Sequence, residues 1–162
     1  MSRGLGDVYK RQVQVFGIFR LYRVKENVLD GDNTLPQSGT NRDFCYSSGY
    51  EYWGKMESDG NVLSSGKKET VLRSNKKKIE KDATYDIVVH YEVIQAKEDS
   101  AATFRVRNAQ DEIIAEQEMP KDATKITIKD VSVITGMEWV RYRINAEKGS
   151  KIRIRSIETI AQ

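Results

Sequence analysis

Cysteine and histidine are nearly absent: Cys45 is the one thiol in 162 residues and His90 the one imidazole. A lone cysteine closes no disulfide framework and supplies no CxxC metal pair. A nucleophile needs a base, and with His90 the one histidine to serve it, Cys45 reads as a semi-buried or loop thiol. No P-loop, HExxH or GxSxG motif occurs. The longest apolar run is a few residues, so no segment spans a membrane as a helix. Charge of one sign is missing as well. Lys and Arg number 27 against 24 Asp and Glu, a net of +3. Residues 1–12 carry Arg3, Lys10 and Arg11 against Asp7, which leaves 24 basic and 23 acidic side chains elsewhere, a net of +1. Bulk charge therefore gives no argument for nucleic acid.

The start of the chain, MSRGLGDVYKRQ, has no apolar periodicity and no helix start signal. Codons for its DVYKRQ stretch resemble the transposon mosaic-end adapter of sequencing libraries. Residues 1–12 are set aside as a translated adapter on a metagenomic fragment. A true N-terminus, with any signal peptide or membrane anchor, is then expected upstream.

The remaining 150 residues suit one domain and part of another. VQVFGIFRLYRV, residues 13–24, is rich in Val, Ile, Phe and Tyr and reads as one or two strands. Residues 25–44 carry Gly, Asn, Asp, Pro and Ser and read as a loop or linker. The division expected is a strand remnant plus linker over 13–45 and a domain over 46–162. Within it, TYDIVVHYEVIQA places Tyr85, Ile87, Val89, Tyr91 and Val93 on one face with a strand's period of two. ATFRVRNA, EIIAEQEM, KITIKDVSVI, EWVRYRINA and SKIRIRSIETI follow at regular spacing, separated by turn residues. Six strands of similar length and no convincing helix predict an all-β sandwich of two antiparallel sheets.

IEKDATYDIVVHYEV, ATFRVRNAQDEIIAE and EWVRYRINAEKGSKIRIRSIETI resemble the polar turn, hairpin and Trp-led closing pair of jelly-roll carbohydrate-binding modules and galactose-binding-like domains. The resemblance covers roughly residues 50–160. It implies a jelly-roll β-sandwich, a glycan partner, an extracellular or cell-surface location and, in many such modules, one structural calcium ion. The residues that would hold calcium are not apparent; Asp30 and Asp32 near Asn33 echo a calcium loop without the EF-hand pattern. FGIFRLYRVK resembles the last strand of soluble domains attached to bacterial membrane glycosyltransferases.

Arginine carries the most informative pattern. FRVR, VRYR and IRIR alternate apolar residues with Arg. Arg105 and Arg107 share a strand face, as do Trp139, Arg141 and Arg143. In the jelly-roll order these two strands are neighbours, and the strand of Arg153 and Arg155 belongs to the other sheet. Four guanidiniums and an indole would then share one patch, suited to an acidic glycan: Arg forks onto carboxylate or phosphate and Trp stacks on a sugar ring. The other reading stands first on general grounds. Antiparallel sheets ordinarily carry one solvated polar face, and Arg is common there. Trp139 reads first as a packing residue at its strand start and second as a sugar platform. A second candidate is the aromatic cluster of Tyr46, Tyr50, Tyr52 and Trp53, half of it core if it lies on a first strand. His90 has the opposite parity to the Tyr85–Val93 set and could face a ligand, although a lone histidine is far more often structural or simply solvated. Lys76–Lys78, with Lys67, Lys68 and Lys81 nearby, offer a phosphate-binding run, but Glu69, Glu80 and Asp82 dilute it and the solvated-loop reading stands first.

These readings converge on a non-catalytic, carbohydrate-binding-like accessory domain of a larger bacterial cell-surface or secreted protein. The ligand-binding residues expected are Arg105, Arg107, Trp139, Arg141, Arg143, Tyr50, Tyr52 and Trp53. No catalytic set and no cofactor other than structural calcium is expected, and no nucleic-acid partner. A membrane is expected only through a missing upstream region. Two alternatives stand beside this: a structural extracytoplasmic domain of a membrane glycosyltransferase, and the C-terminal fragment of a polysaccharide-active enzyme.

Overall fold

The computed structural model describes residues 34–43, 50–57, 60–64 and 70–162. All of them lie in the unit Gly31–Gln162. The expectations for residues 1–24, Asp30, Asp32, Asn33, Cys45, Tyr46, Lys67 and Lys68 fall outside the described residues.

The fold is the expected all-β jelly-roll sandwich of two antiparallel sheets. Its strands are β1 (Thr40–Asp43), β2 (Tyr50–Tyr52), β3 (Gly54–Glu57), β4 (Gly60–Ser64), β5 (Thr70–Ser74), β6 (Lys77–Lys78), β7 (Ala83–Gln95), β8 (Ser100–Arg107), β9 (Ile113–Pro120), β10 (Lys125–Val133), β11 (Trp139–Ala146) and β12 (Lys151–Ala161). The first sheet runs β10-β7-β12-β4-β3, with β1 added along β12. The second runs β2-β5-β11-β8-β9, with β6 added along β11. A single 3-10 turn, Thr135–Met137, is the one helical element among the described residues. No helix among them is long and apolar enough to cross a membrane.

The period-two sequences explain the layers. In β7, Tyr85, Ile87, Val89 and Tyr91 are buried and the residues between them are not. In β11, Val140, Tyr142, Ile144 and Ala146 point inward, and Trp139, Arg141, Arg143 and Asn145 alternate with them. Phe104 and Val106 of β8 and Ile152, Ile154 and Ile157 of β12 complete the centre of the core. Burying each such side chain contributes about 1.5–3 kcal/mol. The Phe104 and Tyr142 rings lie 5.5 Å apart at 48°. The Tyr142 hydroxyl meets the Thr159 hydroxyl at 2.7 Å, which ties the second sheet to the first inside the core. Burial pushes the Tyr142 phenol well above its usual range.

Two sequence expectations change here. The stretch read as linker contributes an element at its end: Thr40–Asp43 pairs with β12, from Thr40 opposite Ile160 to Asp43 opposite Ile157. Leu35, just before it, is buried in the core. The lysine run is not a solvated loop. Lys77 and Lys78 form β6, Lys77 opposite the inward Val140, and the Lys77 side chain is 7% exposed. Its ammonium lies 2.5 Å from the Asp43 carboxylate, which also accepts the Tyr50 hydroxyl at 3.0 Å.

Candidate functional site

The outer face of the second sheet gathers the arginines. β8 and β11 are paired, with Arg107 opposite Arg141 and Arg105 opposite Arg143. β5 adds Arg73 opposite Arg143 on the other side. Three guanidiniums therefore sit in one cross-strand row, an arrangement that repels itself unless neutralised. Carboxylates close both ends of the row. Glu51 of β2 lies opposite Arg73 and bonds it, and Glu116 of β9 lies opposite Arg105 at 3.1 Å. A turn supplies the third acid. Asn108 accepts the amides of Gln110 and Glu112, and Asp111 takes a φ of 63°. Asp111 then reaches Arg107 at 3.2 Å and Arg143 at 3.3 Å.

The middle of this face is half-buried. The Arg107 and Arg143 side chains are 16% and 18% exposed. The Nε atoms of Arg107, Arg141 and Arg143 are buried with no hydrogen-bond partner among the described residues. Burial first, then the neighbouring Arg107, Arg73 and Arg141, pull Arg143 below the usual guanidinium range, while Asp111 pulls it up. Arg141 differs from its neighbours. Among the described residues it has no carboxylate partner; its guanidinium lies 5.1 Å from the Trp139 ring centre. The Lys76 ammonium lies 4.7 Å from the same ring. Two cations thus converge on one half-buried indole, each attracted by its π face.

Arg105, Arg107, Trp139, Arg141 and Arg143 are therefore brought together. The aromatic cluster is not. Tyr50 is 7% exposed, packed in the core against Lys77 and bonded to Asp43, so it presents no stacking face to a surface ligand. Its parity on β2 sends it inward and leaves Glu51 outside. Trp53 is half-buried beside β5, its amide bonded to the Val71 carbonyl. Tyr52 lies on β2, and its side chain falls outside the described residues. Sequence reasoning missed Arg73 and the three carboxylates, which lie on β5, β2, β9 and the turn before β9 and whose pairing only strand order reveals. Among the described residues there is no group of three or more His, Cys, Asp or Glu placed to hold a metal ion.

No protein-family model and no curated protein matches the chain. It is similar to several solved structures. One is a GH26-CBM35 β-(1,4)-mannanase of Podospora anserina: TM-score 0.49, 12% identity, 78% of this chain and 28% of that one. Another is the C-terminal CBM6 of a marine laminarinase from Zobellia galactanivorans: TM-score 0.45, 14% identity, 75% of this chain and 98% of that one. A third is the carbohydrate-binding module CBM6cm-2 of Cellvibrio mixtus lichenase 5A, in complex with cellotriose: TM-score 0.44, 14% identity, 76% of this chain and 96% of that one. This chain thus spans 28% of the mannanase.

The outer face of the first sheet carries His90. Its Nε2 lies 3.3 Å from the Glu158 carboxylate of β12, which Arg42 of β1 also engages. Lys125 of β10 and Ser156 of β12 are its cross-strand neighbours, and Glu92 follows it on the same face of β7. Burial, then Arg42 and Lys125, hold the imidazole below its ordinary range. A depressed folded value means the unfolded chain binds more protons. The stabilisation is full above the unfolded pKa of about 6.5 and is lost as pH falls through the folded value. Because His90 is the one histidine, imidazole NMR reads it without ambiguity. The folded protein should titrate below about 6.5, and Arg42→Ala, which frees Glu158 to face the imidazole, should move it upward. An unchanged midpoint in that variant would remove Arg42 as a cause.

Proposed function

We propose that this domain is a non-catalytic carbohydrate-binding module that grips an acidic glycan on the outer face of its second sheet. The observation that carries the reading is the Lys76–Trp139–Arg141 cluster beside the half-buried arginine row. Arg73, Arg105, Arg107 and Arg143 are committed to Glu51, Glu116 and Asp111. Lys76 and Arg141 hold no carboxylate among the described residues and flank an aromatic ring. A uronate or phosphate would find two cations within reach of one indole. The desolvated Nε atoms keep their neighbourhood positive, and a bound anion would offset part of that burial cost. Such a module needs a preformed surface and no nucleophile or base. The resemblance in sequence to jelly-roll sugar-binding modules supports glycan as the class of partner. It also supports an accessory place in a larger secreted or cell-surface protein.

The test is calorimetric binding of polygalacturonate and of a neutral glucan to the full chain at low and physiological salt. Polygalacturonate should bind, and binding should weaken as salt rises. Arg141→Ala should cost about tenfold or more, since hydrogen bonds to charged groups contribute about 1.5–3 kcal/mol, and should flatten the salt dependence. Salt-insensitive binding of the neutral glucan would move the site away from the arginines. No binding by the folded protein would turn the reading to a structural domain.

A further inference from the structure

The first sheet's outer face holds a feature that the glycan reading does not use. Along β12 the pairing with β7 steps from Ile154 opposite Tyr91 to Ser156 opposite His90. Arg155 is the extra residue of a β-bulge, and a bulge bends its strand and re-aims a side chain. Here the bulge brings Arg155 onto Glu92 at 2.5 Å, beside Arg153 on the same carboxylate at 2.8 Å. Across from this cluster, Glu158 holds Arg42 and faces His90. Between the two clusters lies a groove of about 460 Å³ lined by Arg42, His90, Tyr91, Glu92, Thr124 and Arg155, with Ser156 beside them.

A solvated sheet face spreads its charges, whereas these converge on a concavity of ligand size, since small-molecule sites occupy about 300–1,000 Å³. Behind the lining, one residue on each side is largely desolvated: the Arg153 side chain, bonded to Glu92, is 7% exposed, and that of Glu158, bonded to Arg42, 12%. The side chains of Arg42 and Arg155 are each 55% exposed. Each donates one terminal nitrogen to its carboxylate and keeps further N–H donors for a ligand. Of the charged side chains that line the groove, Arg42 and Arg155 are cations and Glu92 is the one carboxylate, an excess that favours an anion. Glu92, with Glu158 behind the lining, would repel a phosphate dianion, yet Glu92 accepts hydroxyl donors well. The combination selects a single negative charge accompanied by hydroxyl groups.

We propose that this groove is a second binding site, for a small polyhydroxylated carboxylate such as a sugar acid, held between Arg42 and Arg155. Its carboxylate takes the free N–H groups of the two guanidiniums. Its hydroxyls donate to Glu92 and meet the Ser156 hydroxyl. The site is on the opposite sheet from the arginine row, and it stands whether or not that row binds glycan.

D-glucuronate titrated into the isotope-labelled full chain tests this by amide NMR. Saturable shifts are expected at His90, Thr124 and Ser156, with D-glucose giving none and inorganic phosphate binding at least several-fold more weakly. Arg155→Ala should weaken glucuronate at least tenfold, and Arg141→Ala should leave these shifts unchanged. Arg42→Ala, at the other wall, gives the same reading if the Arg155 variant fails to fold. Three results would overturn the proposal: no shift in the wild-type groove, shifts confined to Trp139, Arg141 and Arg143, or phosphate binding as tightly as glucuronate. A failed polygalacturonate experiment would leave the groove shifts in place, so the two readings fail separately.

Discussion

Lys77→Met is expected to lower the free energy of unfolding by about 3 kcal/mol, the lower end for breaking a buried ion pair from one side. Methionine keeps most of the aliphatic stem, so the loss isolates the charge from the volume. The Lys77 ammonium is held 2.5 Å from Asp43 and lies 5.8 and 5.2 Å from the Tyr50 and Tyr142 ring centres. Asp43 belongs to β1 in the first sheet and Lys77 to β6 in the second. The pair therefore fastens the two sheets at one edge. Without Lys77, the Asp43 carboxylate keeps the Tyr50 hydroxyl alone, and its side chain is 21% exposed, too little for water to replace the ammonium fully. Thermal melting should fall by roughly 10 °C for a domain of this size. Adding Asp43→Asn to Lys77→Met should recover about 1–3 kcal/mol relative to the sum of the single changes, as groups in contact do. A single-variant loss under about 1 kcal/mol would show that the pair behaves as an ordinary surface salt bridge.

That same pair marks where sequence reading stops. The strands from β7 to β12 were legible because their apolar residues recur every second position, and a half-buried sheet is the simplest structure with that period. The neighbouring of β8 and β11 followed from the order of a jelly roll, and parity alone placed Arg105, Arg107, Arg141 and Arg143 on one face. What neutralises them did not follow. Glu51, Asp111 and Glu116 come from a strand, a turn and an edge strand, and only their registers bring them onto the row. Lys77 was misread because three consecutive lysines look solvated, yet a strand must send one of each adjacent pair inward. β1 was missed because TNRD has no apolar signal; its place is decided by β12, along which it pairs. The bulge at Arg155 was hidden because IRIRSIETI keeps an apolar rhythm on either side of it. A one-residue slip flips every later side chain to the other face. Arg153 and Arg155 were expected on one face, and they meet on Glu92 by way of that bulge rather than by simple alternation.

Phe104→Ala should be the most damaging single change in the core, at about 3–5 kcal/mol. Phe104 is fully buried. It lies directly opposite Ile144 in the pairing of β8 with β11, and its ring stacks at a tilt on Tyr142. Truncation removes the transfer energy of the ring and leaves a cavity between two strands whose own ladders resist collapse. Phe104→Leu should recover more than half of the loss, since it restores most of the volume without the ring. The consequence reaches the outer face. Arg105 follows Phe104 directly, and Arg143 stands opposite it. Movement of β8 into the cavity would shift one guanidinium of the row against its carboxylate. Urea unfolding should show a lower midpoint with an unchanged slope. Amide shifts at Arg105 and Arg143 should exceed those at His90 on the far sheet. Equal shifts on both sheets would mean that the sandwich yields as a whole, and that the arginine row is not held by the packing directly beneath it.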